Sequence, residues 1–504
     1  MKERKEGVET FRRPAIGFAL LFFALAAGVG ARHPDEGQAG RYPSDVGRFR
    51  ELFLDDDFLV ESKSGIEAVP AQAIKLSTEP VLKQDQPWEL SGPDAYVDVL
   101  YDEEERLYKM WYDCKVEVQH YHGTPSQERA VGYAISEDGI RWKKPALTAV
   151  TDKPTNLVFF GFGGKKHGVP YVVKDYSDPD PVRRYKMLFN FWDFRDRGLG
   201  YAWSADGIHW EIHRFTVIQG GFDTLNIFFW DNKYGCWVAY TRIRIAGKRS
   251  IARATSPDLQ HWSLPVAVET PDELDGPDEH LYTPGCFRLT NARDVYVMVT
   301  GVHDQVKNIL TPQLGVSRDG IHWRRFRKPF IPFGPKGAWD SGGGRPSGRE
   351  VPSGDKLLFY YRGVEQSHGE NPREGIGVAQ IGRDRFVGLR AAGHGQVTTR
   401  TVRLNYRGRF QPENGVLLLN ATARNGSVRV EVLDEKGQVI PGFSAQDCLP
   451  LTEDGVDQPV RWSKQPTLQP VVGRPVRLRF LLENATIFAF QIVETSDRGL
   501  KDEG

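Results

Sequence analysis

One phrase occurs four times in this chain. It reads VGYAISEDGIRW at 131–142, LGYAWSADGIHW at 199–210, IARATSPDLQHW at 251–262 and LGVSRDGIHW at 314–323. The shared core is Ser-x-Asp-Gly-x-x-Trp, with Leu259 in place of the glycine in the third copy. The serines, Ser136, Ser204, Ser256 and Ser317, stand 68, 52 and 61 residues apart. Self-similarity at a period of roughly fifty residues means a propeller or a solenoid, because each repeat is one supersecondary unit that buries its apolar face only against its neighbours.

The physics of one copy is that of a hairpin. Alternation such as Val-Gly-Tyr-Ala-Ile-Ser makes a strand with one buried face. Asp-Gly supplies the positive φ of a tight turn. The Trp opens the return strand. Because the phrase repeats, it reads as a structural turn and not as a binding motif.

Each phrase follows another hairpin. In the first unit AYVDVLY (95–101) and LYKMWYDC (107–114) are strands A and B, and the phrase supplies C and D. The segments 171–192, 226–242, 286–302 and 348–363 repeat the A–B hairpin, and 376–389 is a degenerate C–D hairpin. Five four-stranded units predict an all-β chain with a five-bladed β-propeller over residues 50–392. The N-terminal strand ELFL (51–54) is expected to complete the last blade. Beyond Gly393 the phrase stops, and alternating strands with polar turns predict a C-terminal β-sandwich over 393–496.

Composition narrows the function. Lys plus Arg and Asp plus Glu balance at 66 each, so no basic excess points to nucleic acid. Four cysteines (Cys114, Cys236, Cys286, Cys448) form no CxxC pair, which argues against structural zinc. Basic residues from Lys2 to Arg13 precede the apolar run AIGFALLFFALAAGVG (15–30), the pattern of a secretory signal cleaved near Ala31. Residues 1–31 are therefore read as a signal peptide and the protein as exported, to the periplasm or beyond the cell. No membrane association is expected past that segment.

In a propeller, short A–B and C–D turns share one rim, and long B–C and D–A connections share the other. Sites concentrate on long loops carried by a rigid scaffold. Before strand A the chain places Trp88 and Asp94, then His167, Asp223, Glu279 with His280 and Tyr282, and Trp339 with Asp340 and Arg345. At the ends of the B strands come Arg242, His303 and His368. A ring of carboxylates with His, Arg and aromatic side chains is a plausible sugar site. Glycoside hydrolysis needs one carboxylic acid to protonate the leaving oxygen and a second carboxylate on the other face of the sugar. Crowded carboxylates raise one pKa and keep that acid protonated.

The five units with YKMWY, the Ser-x-Asp-Gly-x-x-Trp turns and the appended sandwich resemble the five-bladed-propeller glycosidases, the superfamily of glycoside hydrolase families 32, 43 and 68. The resemblance covers about 50–495, closest to secreted, family-32-like bacterial proteins. It implies an Asp nucleophile or base in the first blade, a place Asp94 fits. It implies an Asp in the second blade, where this chain has His167, and a Glu acid in the third, where it has Asp223. Glu279 comes one blade later. The chain has no WMNDPNG, Arg-Asp-Pro or Glu-Cys signature, so the resemblance implies fold and broad class and not fructosidase activity. A calcium ion on the axis is implied by resemblance only; the residues themselves require no cofactor or metal.

The expected function is an exo-acting glycoside hydrolase on a polysaccharide or oligosaccharide. Glu279 would be general acid and Asp94 base or nucleophile, with Asp223 and Asp340 orienting hydroxyls. Trp88, His167, Arg242, His280, Tyr282, His303, Trp339, Arg345 and His368 would bind substrate. The alternative is a non-catalytic carbohydrate-binding protein on the same scaffold.

Overall fold

A computed structural model describes residues 44–46, 49–54, 58–93, 96–119, 125–160, 168–192, 197–213, 215–368, 374–404 and 415–494. The expected signal peptide, the acidic tip Asp55–Asp57, Asp94 and His167 lie outside the described residues.

The five repeats form five separate antiparallel sheets. The first holds Glu89–Ser91 and Val97–Asp102 as strand A, then Leu107–Gln119, Pro125–Ser136 and Leu157–Phe160. The second runs Gly168–Lys174, Tyr185–Trp192, Arg197–Ser204 and the split outer strand Glu211–Ile212 and Ile218–Gln219. The third comprises Ile227–Asp231, Cys236–Ile245, Lys248–Ser256 and Val266–Glu269. The fourth comprises Glu279–Arg288, Tyr296–Asp304, Ile309–Ser317 and Arg324–Pro329. The fifth is built from Gly344–Pro346 with Val351–Ser353, then Lys356–Gly363 and Gly375–Gly382. The A strands touch in sequence, and that of blade 5 meets that of blade 1, so the ring is closed.

The outer strand of blade 5 is Ile74–Lys75, paired antiparallel with Gln380 and Ala379. The ring therefore closes on an N-terminal strand, but not on ELFL. Glu51–Leu52 pairs with Phe490 and Ala489 near the C-terminus. Phe53 explains the choice: its ring lies 5.5 Å from Phe480 and 5.8 Å from Phe490, inside the C-terminal core. Alternation alone does not distinguish Glu51–Leu52 from Ile74–Lys75, two strands of two residues each in the same N-terminal segment.

The Ser-x-Asp-Gly phrase is a self-contained knot of hydrogen bonds. In every copy the serine Oγ accepts from the amide three residues on, at 2.9 Å for Gly139, Gly207, Leu259 and Gly320. The aspartate caps the next turn; Asp138 Oδ1 accepts from the amides of Ile140 and Arg141 at 2.9 and 2.8 Å. The fourth position is left-handed in all copies, with φ of 74°, 78°, 66° and 70°.

This turn also joins blades. An aromatic side chain from the preceding blade donates to the turn carbonyl: Tyr360 Oη to Gly139 at 2.6 Å, Trp111 Nε1 to Gly207 at 2.8 Å, Tyr240 Oη to Gly320 at 2.7 Å. A Cβ on those glycines would fall within 2.8 Å of the same side chains. At the Leu259 copy the register position held by Trp111 and Tyr240 is Leu188. Leu188 and Leu259 are buried in the same apolar cluster. One junction has thus exchanged a hydrogen bond and a glycine for two packed leucines.

Ten strands form a second sheet system, from Ser44–Val46, Glu51–Leu52, Val60–Ser64 and Glu67–Pro70 to Val387–Thr399 and Pro475–Glu494. They wrap one apolar core that includes Phe53, Leu389, Leu417, Val430, Trp462 and Phe480. The N-terminal segment is therefore part of this C-terminal unit. A shared cluster of Leu52, Leu54, Phe287, Phe359, Phe386 and Ala489 fixes it to blades 4 and 5. Arg383–Asp457 and Arg385–Asp454 ion pairs flank that contact.

Candidate functional site

The starts of the A strands and the ends of the B strands share one rim, as the hairpin lengths predict. Tyr96 immediately precedes strand A of blade 1. Asp223 and Thr224 precede that of blade 3, His280 and Tyr282 lie in that of blade 4, and Arg345 in that of blade 5. Arg242 and His303 lie late in their B strands, Arg249 begins strand C of blade 3, and Ser367 and His368 follow strand B of blade 5.

Tyr282 is the centre of this cluster. The guanidinium carbons of Arg242, Arg249 and Arg345 stand 4.6, 5.1 and 5.7 Å from its ring centroid. Arg345 also lies 5.4 Å from the Tyr96 ring. His303 meets Tyr282 edge-on at 5.4 Å and His368 at 5.7 Å, and the Tyr282 hydroxyl is 3.3 Å from His368 Nε2. Arg242 is ion-paired with Asp223. Asp223 and His368 reach solvent, whereas Arg242, Tyr282, His303 and Arg345 are buried.

Polar contacts between blades hold these groups. Thr224 Oγ1 lies 3.1 Å from Tyr96 Oη and 3.2 Å from Thr283 Oγ1, and it donates to the Tyr282 carbonyl at 3.1 Å. Asn226 Nδ2 donates to Asn190 Oδ1 at 3.0 Å, bringing in blade 2. Ser367 Oγ sits 2.6 Å from His303 Nε2, and Arg345 Nη2 donates to the Ser367 carbonyl at 2.8 Å. The Arg249 amide donates to His280 Nδ1 at 3.1 Å, which fixes that ring.

The charges set the protonation states. Burial alone would raise the Tyr282 phenol, but the Arg345, Arg242 and Arg249 charges bring it below the usual tyrosine value. Tyr96 moves the other way, raised by burial and by the neighbouring Tyr282. Burial, then the His368 and Arg249 charges, lowers His303 to about 4. His280 and His368 are also lowered, first by burial and then by nearby arginines. Burial and the Arg242 charge lower Arg249. The lowered values leave His280, His303 and His368 as neutral imidazoles at neutral pH, and among the described residues of the cluster Asp223 is the exposed acid.

The structure brings Asp223, Arg242, His280, Tyr282, His303, Arg345 and His368 together. It places the other described candidates elsewhere. Glu279 turns back on its own loop, where its Oε2 accepts from the Gly276 amide at 2.8 Å. It alternates with His280 along the strand, so it faces away from the side that His280 presents to Arg249. Asp340 is buried at the ring closure, accepting from Lys75 Nζ at 2.6 Å and Tyr361 Oη at 2.8 Å. Trp339 stacks on Tyr361 at 5.7 Å and donates to the Thr78 carbonyl. Trp88 donates to Asn156 Oδ1 at 3.0 Å and packs on the blade 1 core. Asp340 and Trp339 anchor the closing blade, whose edge needs buried partners, and Trp88 anchors blade 1.

Tyr96, Arg249, Thr224 and Ser367 belong to the cluster but carry little sequence signal. Arg249 lies in a hairpin with Arg242, Arg244 and Lys248, a run that reads as a solvated turn. Asp98, conversely, is structural: fully buried, it accepts from the Val172 amide at 2.7 Å and from Arg349 Nε and Nη2 at 3.0 Å each, tying blades 1, 2 and 5 together.

At the opposite rim the axis holds a cavity of about 260 Å³ lined by residues that include Tyr171, Phe287, Arg288, Arg349 and Glu350. Burial raises the Glu350 carboxyl to about 8, against the opposing Arg349 charge. Among the described residues no group of three His, Cys, Asp or Glu side chains is placed to hold a metal.

No protein-family model matches the chain, and no curated protein matches it. Solved structures do resemble it. An N-acetylgalactosamine deacetylase from F. plautii, in complex with blood group B trisaccharide, is 15% identical with a TM-score of 0.44, over 64% of this chain and 96% of that one. A structure from the family 130 mannoside phosphorylases, a family described as containing glycoside hydrolases that target β-1,2 mannosidic linkages in Candida mannan, is 16% identical with a TM-score of 0.45, over 63% and 95%. A glycosyl hydrolase from Bacteroides ovatus is 16% identical with a TM-score of 0.43, over 68% and 96%.

Proposed function

We propose that this chain is an exported glycosidase that holds a terminal sugar against Tyr282 and cleaves its glycosidic bond. The observation that carries the reading is the convergence of side chains from blades 1, 3, 4 and 5 on one rim, with Asp223 exposed among them. Tyr96 and Tyr282 offer ring faces, and the imidazoles and guanidiniums offer donors for hydroxyls. Asp223 is one carboxylate of the pair that hydrolysis requires. Asp94, two residues before Tyr96, is proposed as the other.

A binding-only protein is the second reading, and one observation favours it. Asp223 is engaged by Arg242, Glu279 by Gly276 and Asp340 by Lys75, so each described candidate acid already has a partner. Incubation with a panel of polysaccharides and aryl glycosides separates the two. Release of one monosaccharide, lost by about 10²–10⁴-fold in Asp223→Asn and in Asp94→Asn, supports the glycosidase. Binding to a polysaccharide without release from any substrate supports the second reading.

A further inference from the structure

We infer that the Arg242, Arg249 and Arg345 cluster is a subsite for an anionic group on the sugar, so that the ligand of this rim is an acidic saccharide. The inference rests on the reading that a saccharide occupies this rim, and it names the class of that saccharide.

Three guanidiniums surround one phenol within 5.7 Å of its ring. Their hydrogen-bonding capacity is not used up. Nη1 of Arg242, Nε of Arg345, and Nε and Nη1 of Arg249 are buried from solvent and have no hydrogen-bond partner. Arg242 is 7% exposed and Arg345 8%. Buried donors without acceptors are costly, and buried like charges more so, unless an acceptor of opposite charge arrives. Among the described residues the carboxylate paired with this array is Asp223, which takes one Arg242 nitrogen and is itself half exposed. His303, His280 and His368 do not neutralise the arginines; His303 Nδ1 is itself without a partner.

A sugar bearing only hydroxyls offers weak acceptors to this array. A carboxylate or sulfate presents two or three charged oxygens, and a guanidinium fork matches such a group in two parallel bonds. The lowered phenol of Tyr282 fits the same arrangement, because the positive field that stabilises a phenolate also stabilises a bound anion. Displacing Asp223 from Arg242 would free that carboxylate as the anion enters, which couples recognition to the exposed acid.

Titration calorimetry of the full chain at two salt concentrations tests this, with galacturonate, glucuronate, galactose 6-sulfate, galactose and glucose as probes. At least one acidic sugar is expected to bind tenfold or more tighter than its neutral counterpart, with affinity falling as salt rises. Preference among the acidic probes separates carboxylate from sulfate. Arg249→Gln and Arg242→Gln should each remove most of that preference while their thermal melting stays near that of the parent. Equal affinity for acidic and neutral sugars, or an acidic preference unchanged in both variants, overturns the inference. Release from neutral glycosides without acidic binding sinks this inference and leaves the glycosidase reading standing. Acidic binding without cleavage of any glycoside, uronides included, does the reverse.

Discussion

Replacing Gly207 by alanine isolates what the repeated turn does. Gly207 and Gly235 both have positive φ, 78° and 63°. A Cβ at Gly235 would meet nothing within 4 Å, whereas at Gly207 it would lie 2.8 Å from Trp111 Cζ2. Gly235→Ala therefore reports backbone conformation alone, about 1–2 kcal/mol. Gly207→Ala adds overpacking of about 1–3 kcal/mol against a fully buried indole. It also strains the Trp111 bond to the Gly207 carbonyl, worth about 0.5–1.5 kcal/mol. The expected total is about 2.5–6.5 kcal/mol, at least about 1.5 kcal/mol beyond Gly235→Ala. Leu259→Gly completes the set: it relieves about 1–2 kcal/mol of backbone strain but loses a buried leucine worth about 2–5 kcal/mol, so it destabilises. Urea unfolding followed by tryptophan fluorescence measures all three. Equal costs for Gly207→Ala and Gly235→Ala, or a stabilised Leu259→Gly, would refute the account of the turn as an inter-blade joint.

Asp98→Ala leaves Arg349 without its bidentate partner and is expected to cost about 3–5 kcal/mol by urea unfolding. His303 is lowered from 6.5 to about 4, so the unfolded chain binds its proton first as pH falls. Its contribution is fully present above pH 6.5 and is lost progressively down to about pH 4; urea midpoints across that window should fall less steeply in His303→Gln. Glu279→Gln keeps an acceptor for the Gly276 amide and should retain glycoside turnover within a few-fold of the parent, in contrast to Asp223→Asn.

The fold was legible because the phrase repeats. Its serine, aspartate and glycine each answer a local backbone demand, so the spacing alone located the turn after strand C in four blades, although the outer strand of blade 1, Leu157–Phe160, lies beyond its copy of the phrase. The choice of rim followed from hairpin lengths, and Asp223, Arg242, Tyr282 and Arg345 followed from the rim. What failed was the sorting of residues within one segment. Glu279 and His280 are neighbours in sequence, yet strand alternation sends one to a loop amide and the other to the cluster. Trp339 and Asp340 stand near Arg345 in sequence, but partners from the distant N-terminal segment, Lys75 and Thr78, claim them. Such long-range pairing has no local signature. The same holds for Glu51–Leu52, whose place beside Phe490 depends on a core completed only at the other end of the chain.

The most direct test of the central claim is glycoside release by the folded parent, Tyr282→Phe and Asp223→Asn on whichever substrate the panel identifies. The account predicts that both variants keep their cooperative unfolding and lose turnover or sugar affinity by at least about tenfold, because the proposed sugar site uses both side chains. Unchanged turnover and affinity in both would place the sugar elsewhere on the protein and contradict the assignment of this rim as the functional site.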